Sequence, residues 1–178
     1  MGIPVERARQ FEAIALPHLD AAYNLARWLL RDPQAADDVV QEAYLRALRY
    51  FGSFRGDNPK PWLLGIVRNV CYTWLHENRG AMQVLEFDED RDGGEQDLAP
   101  DRNTDNPEQL LSRKQDGIAL NAAIERLPAT FREVLILREL EELSYNDIAR
   151  IVGIPTGTVM SRLSRARALL RGHLSRAD

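Results

Sequence analysis

From Pro155 onward the chain carries five arginines against one acid, and hydroxyl side chains fall between them. On a helix beginning near Thr156, Thr158, Ser161, Ser164 and Arg165 share one face, with Arg162, Arg167 and Arg171 on its flanks. Val159, Leu163, Ala166 and Leu170 recur on the opposite, apolar side. A guanidinium fork matches either a phosphate or the O6/N7 edge of guanine, and hydroxyls reach bases or phosphates. Thr156 and Gly157 add backbone N–H groups at a helix start, where a phosphate is favoured. The chemistry on offer is recognition of nucleic acid.

That helix needs elements that present it. Ser144 stands three residues before Asp147, a capping-box spacing with Asp in place of the usual Glu or Gln. The helix it opens, Tyr145 to Val152, stops at Gly153, whose freedom at positive φ suits a tight turn. Ile154-Pro155 leads into the arginine-bearing helix, roughly Thr156 to Leu170. Ala149, Gly153 and Val159 supply the close contact, the turn and the inward anchor that a helix-turn-helix requires. In such a motif the outward residues of the second helix enter the major groove. Arg165 is the candidate for bidentate base reading, while the flanking arginines suit the backbone. Upstream, Leu120, Ala123, Ile124 and Leu127 mark a short amphipathic helix, and Pro128 opens the next, ATFREVLILREL.

A second set of candidates lies near the N-terminus. Asp32 can cap a helix whose first residue is Pro33. Ala36, Val39, Val40, Ala43, Tyr44, Ala47 and Phe51 form its apolar side. Asp38, Gln41, Glu42, Leu45 and Arg49 lie opposite, with Leu45 alone among polar groups. The stripe reads either as a solvated face with one stray leucine or as a docking surface with an apolar anchor. The next helix starts near Pro61 and runs to about Asn78, burying Leu63, Val67, Val70, Cys71 and Trp74. Its other face collects Arg68, Asn69, Tyr72, His76 and Arg79, with Trp62 and Thr73 at the margin. Cations, an amide and aromatics on an exposed face suit unpaired nucleic acid, and they also suit an ordinary mixed surface.

Charge divides the chain. Residues 80–109 hold ten acids and two arginines, a net of −8, so the remainder carries +4 within a whole-chain charge of −4. With five Gly and Pro residues and no periodicity, this stretch reads as a flexible acidic linker. It separates helical segments at 5–79 and 110–176. No period-two alternation with hairpin signals appears, so the expected fold is all-α, two small helical domains on a tether. No apolar run approaches the roughly 18 residues of a membrane span and the start lacks a signal-peptide order, so a soluble intracellular protein is expected. One cysteine cannot form an internal disulfide or a cysteine cluster, and no metal or other cofactor is expected. Gly-rich phosphate loops, nucleophile elbows and paired histidines at metal spacing are missing, so an enzyme is not expected.

The run DPQAADDVVQEAYLRALRYFGSFRGDNPKPWLLGIVRNVCYTWL resembles conserved region 2 of extracytoplasmic-function (ECF) sigma factors of the sigma-70 family. LPATFREVLILRELEELSYNDIARIVGIPTGTVMSRLSRARALL resembles their region 4. The resemblance implies a bacterial RNA polymerase specificity subunit, cytoplasmic and at the nucleoid when active. It implies that Asp38, Gln41, Glu42 and Leu45 dock on the β′ clamp helices of core polymerase, whose β flap is a further partner. Phe54, Arg55, Trp62, Arg68 and Asn69 would melt and hold the promoter −10 element. Thr156, Thr158, Ser161, Arg162, Ser164, Arg165 and Arg167 would read the −35 duplex. Residues 86–105 would thread toward the polymerase active-site path, and an anti-sigma factor would control the whole. Met160, where relatives are often basic, and Tyr72-Thr73-Trp74 depart from the family pattern. The rival reading is a self-sufficient helix-turn-helix regulator that needs no polymerase.

Overall fold

A computed structural model describes residues 2–78 and 117–176. The linker 80–109 and Arg79 lie outside them. Every element among the described residues is helical. α1 (Val5–Ala15) passes through a 3-10 turn at Leu16–His18, with Pro17 at its start, into α2 (Leu19–Leu30). Arg31 closes α2 at a left-handed φ of 59°. α3 (Pro33–Tyr50) is capped as its sequence requires: Asp32 Oδ1 accepts from the N–H of Gln34 at 3.0 Å and of Ala35 at 3.3 Å. α4 (Pro59–Glu77) begins two residues earlier than the proline spacing indicates, because Asn58 caps it through the Lys60 N–H.

The C-terminal part runs α5 (Gly117–Glu125), α6 (Ala129–Leu135), a π-helical turn (Ile136–Leu140), α7 (Tyr145–Val152) and α8 (Thr156–Ser175). The sequence ATFREVLILREL therefore does not form one uninterrupted α-helix. α8 extends five residues past the expected end at Leu170.

α2, α3 and α4 pack on one another, and α8 packs on α5, α6 and α7. The two modules also pack together, α2 against α6 and α4 against α7. One continuous apolar cluster runs from Ala22 and Leu25 through Leu64 and Val67 to Phe131, Ile148, Leu163 and Leu170. A smaller cluster of Phe11, Ala15, Ala47 and Leu63 fixes α1. The two modules thus share one core, a contact on which the sequence pattern is silent. Burying apolar area on both modules drives the association, since each amphipathic face left open costs free energy in proportion to its area.

Candidate nucleic-acid and partner interfaces

The helix-turn-helix forms as its sequence implies. Ser144 Oγ accepts from the Asp147 N–H at 3.1 Å, opening α7. Gly153 takes φ 77°, and the N–H groups of Gly153 and Ile154 both return to the Ala149 carbonyl at 2.8 and 3.1 Å. A side chain at that φ would be strained, so glycine sets the angle between the helices. Val159, Leu163, Ala166 and Leu170 are buried on the inner side of α8.

The outer side of α8 is uneven. Ser161 and Met160 are exposed; Thr156, Thr158, Arg162, Ser164, Arg165 and Arg167 are half-buried. Ser161 Oγ donates within its own helix, to the Gly157 and Thr158 carbonyls at 3.2 Å. Arg167 is held from the side: its Nη2 and Nε reach Glu139 Oε1 at 2.6 and 3.2 Å. At the start of α8, Pro155 provides no side-chain cap. The first N–H groups of a helix have no intrahelical acceptor, so those of Thr156 and Gly157 can receive an oxyanion.

On α3, Asp38, Gln41, Glu42 and Leu45 are all exposed, Leu45 by 60%. The apolar side lies inward as the periodicity demands, with Tyr44 and Phe51 half-buried. Tyr44 spans to α1, its hydroxyl donating to the Ala15 carbonyl at 2.7 Å. Between α1 and α3 runs an open groove of about 370 Å³, lined by Ala8, Phe11, Glu12, Gln41, Tyr44, Leu45 and Leu48. Leu45 forms part of that wall and is not isolated. Ala8 and Phe11 as its opposite wall escape sequence reasoning, because the distance between two helices is not written in either one. Glu42 is paired along its helix with Arg46 at 2.9 Å.

Beyond α3, the Phe54 ring stacks at a tilt on Trp62, centroids 4.9 Å apart. Arg55 is exposed and donates to the carbonyls of Gly52 and Phe54 at 3.1 and 3.3 Å. Gly56 takes φ 145° in the same loop. This groups Phe54, Arg55 and Trp62. Asn69 is exposed on α4 about two turns beyond Trp62.

The expectation that Arg68 and Tyr72 stand on an open face is corrected by the structure. Arg68 Nε and Nη2 donate to Glu133 Oε2 and Oε1 at 2.8 and 3.1 Å, and its guanidinium covers the Tyr72 ring at 4.3 Å. Burial opposes the charge of Arg68, but the hydrogen bond and charge of Glu133 outweigh it and raise the pKa. Burial, with the charge of Glu133 adding, also drives the Tyr72 hydroxyl well above the usual tyrosine range. The second module covers this part of α4. Sequence reasoning missed Glu133 and its neighbour Arg132, both buried. Their signal was a charged pair inside the apolar run from Phe131 to Leu137.

Among the described residues no group of three or more His, Cys, Asp or Glu could hold a metal ion. No described helix is long and apolar enough to cross a membrane.

With this geometry in place, comparison with known proteins is specific. Residues 14–80 match the family model "Sigma-70 region 2", and residues 118–170 match "Sigma-70, region 4". The chain is 35% identical to the RNA polymerase sigma-H factor of Pseudomonas aeruginosa, over 89% of this chain and 83% of that one. It is 33% identical to the ECF RNA polymerase sigma-E factor of Haemophilus influenzae, over 96% and 93%. The sigma factor RpoE of Bartonella quintana, solved in complex with the anti-sigma factor NepR, superposes with a TM-score of 0.69. That alignment is 30% identical and covers 94% of this chain and 98% of the other.

Proposed function

Because the chain belongs to the extracytoplasmic-function sigma factors of the sigma-70 family, we propose how its surfaces divide the work of transcription initiation. The observation that carries the assignment is the helix-turn-helix at Tyr145–Ser175, with Val159 inward and the hydroxyls and arginines outward. Arg165 reads a base of the −35 element, Thr158, Ser161 and Ser164 reach bases or phosphates, and Arg162 and Arg167 hold the backbone. The Thr156 backbone receives a phosphate. For Arg167 a phosphate contact means exchanging or sharing Glu139.

The exposed stripe Asp38, Gln41, Glu42 and Leu45 docks on the β′ clamp helices of core polymerase. Its support is the apolar groove beside Leu45, which gives a partner helix a place to bury side chains within a polar rim. Phe54, Arg55 and Trp62, with Arg68 and Asn69 of α4, capture the melted −10 strand by stacking and phosphate neutralisation. The domain division is 5–79, 80–109 and 110–176. The second module also meets the β flap, and an anti-sigma factor of the class bound to the Bartonella relative covers these surfaces when the chain is inactive. The chain acts in the cytoplasm, at the nucleoid, as a non-catalytic subunit.

Assembly with core polymerase tests this reading. Titrating a fluorescently labelled chain with core should give saturable binding, lost when Leu45 is changed to Asp. Tight binding of the isolated chain to duplex DNA with no affinity for core would favour the self-sufficient regulator.

A further inference from the structure

The contacts between the two modules are polar and buried as well as apolar. Glu133 of α6 is fully buried and takes both hydrogen bonds of the Arg68 fork on α4. Arg132 beside it points the other way. Its Nη1 donates to the Trp28 carbonyl, in the last turn of α2, at 2.7 Å, and its Nη2 to the Leu127 carbonyl at 2.8 Å. In the last turn of α2 the cation meets a terminal carbonyl and the negative end of the helix dipole, and at Leu127 it meets the turn that follows α5. At the opposite end of the seam, Lys60 Nζ lies 2.9 Å from the Glu141 carbonyl and 3.3 Å from its carboxylate. Between these points α4 runs against α7, with Gly65 facing Ile151.

A seam built this way differs from a domain core. Purely apolar surfaces, once joined, have little to gain from water. A buried ion pair contributes less net stability than apolar packing of the same volume, because desolvation offsets the attraction, yet removing one partner strands the other's charge. Such a pair gives a specific closed arrangement whose halves are tolerable in water. Arg68 is also a residue needed for the unpaired −10 strand, and its guanidinium cannot serve Glu133 and DNA at once.

Resting on the proposed function, we infer that the free chain is closed on itself, with Arg68–Glu133 as the latch. The latch withholds Arg68 from promoter DNA until the modules part.

Two measurements test this on the full chain. In a Cys71→Ala background, Asp37→Cys and Ser175→Cys carry spin labels on exposed sites of the two modules. The free protein should show one narrow distance distribution, and Glu133→Gln or Lys60→Ala should add a longer, broad component. Identical distributions in all three, or a broad one in the parent, overturn the latch; polymerase and promoter play no part in this result. For the second, a Cβ at Gly65 meets nothing closer than Ile151 Cγ1 at 4.0 Å. Gly65→Cys with Ile151→Cys, again with Cys71→Ala, should form a disulfide that holds the modules together. Oxidised protein should lose run-off transcription by about tenfold or more, as expected when the competent state is removed, and reductant should restore it. Full transcription from the cross-linked form overturns the latch. Silence in both redox states overturns the functional reading on which it rests.

Discussion

Glu139, within the π-helical turn, grips Arg167 of α8, with the Arg167 Nη2 2.6 Å from Glu139 Oε1. An arginine on the flank of α8, the helix proposed to enter the −35 duplex, thus already has an acid partner. Both side chains are mostly buried, so the pair braces α8 against the turn at Ile136–Leu140. Arg167→Ala should therefore lower folding stability, by on the order of 1 kcal/mol for lost charge-assisted hydrogen bonds. Thermal unfolding reads this. A Tm equal to that of the parent would mean the brace is idle.

Arg165 should behave differently. In its proposed role as base reader the effect of losing it is local: Arg165→Ala should cost about 1–3 kcal/mol at one base pair of the −35 element and relax preference there. Binding measured against a panel of single-base variants makes the distinction. Equal weakening on every sequence, with a reduced salt slope, would reassign Arg165 to a phosphate.

Leu45 and Asp38 should act on polymerase alone. The double change Leu45→Ala with Asp38→Ala removes the anchor and a rim charge from an exposed face, so the fold should be unaffected. Affinity for core should drop by about tenfold or more, the usual scale for truncating an interface anchor. Duplex binding by α7 and α8 should stay within error, and a matching loss there would point to misfolding.

Cys71 gives a signed pH dependence. Burial pushes its thiol up from 9.0 to about 12, the charge of Glu133 adding and that of Arg68 opposing. Between those values the unfolded chain loses this proton while the folded chain keeps it. The contribution to stability is thus present in full below pH 9 and falls as pH rises toward 12. Denaturant titrations from pH 8 to 11 should show a shallower decline for Cys71→Ala than for the parent. Equal slopes would mean that this thiol does not set the alkaline limit. At pH 8 the native thiol should resist thiol reagents until the chain unfolds.

The parts of this molecule that depend on local chemistry were legible in its sequence. Asp32 before Pro33, Ser144 before Asp147, and Gly153 each act within four residues, and each appears where its side chain or φ requires. The inner face of α8 followed from spacing alone. The rest involves partners far apart in the chain. Arg68 and Glu133 are 65 residues apart, and Arg132 and Trp28 are 104 apart. A linker between two modules says nothing about whether they touch. Arg68 looked like a solvent-facing cation because helical periodicity separates the faces of α4 without saying what covers each. The π turn was hidden for a related reason: its residues are good helix formers, and the local irregularity coincides with Glu139 and Glu141 reaching Arg167 and Lys60.

Run-off transcription reads promoter-specific initiation by this chain. Core polymerase would be given a pool of duplex templates with randomised −35 and −10 elements, and the same pool with the −10 region pre-melted. With the chain added, defined start sites should appear and a single paired −35/−10 solution should be enriched. Arg165→Ala should shift the −35 half of that solution. Pre-melted templates should rescue changes in Phe54 or Trp62 more than changes in α8. If core with the chain yields the same unselected transcripts as core alone, the chain confers no promoter specificity and is not acting as a sigma factor.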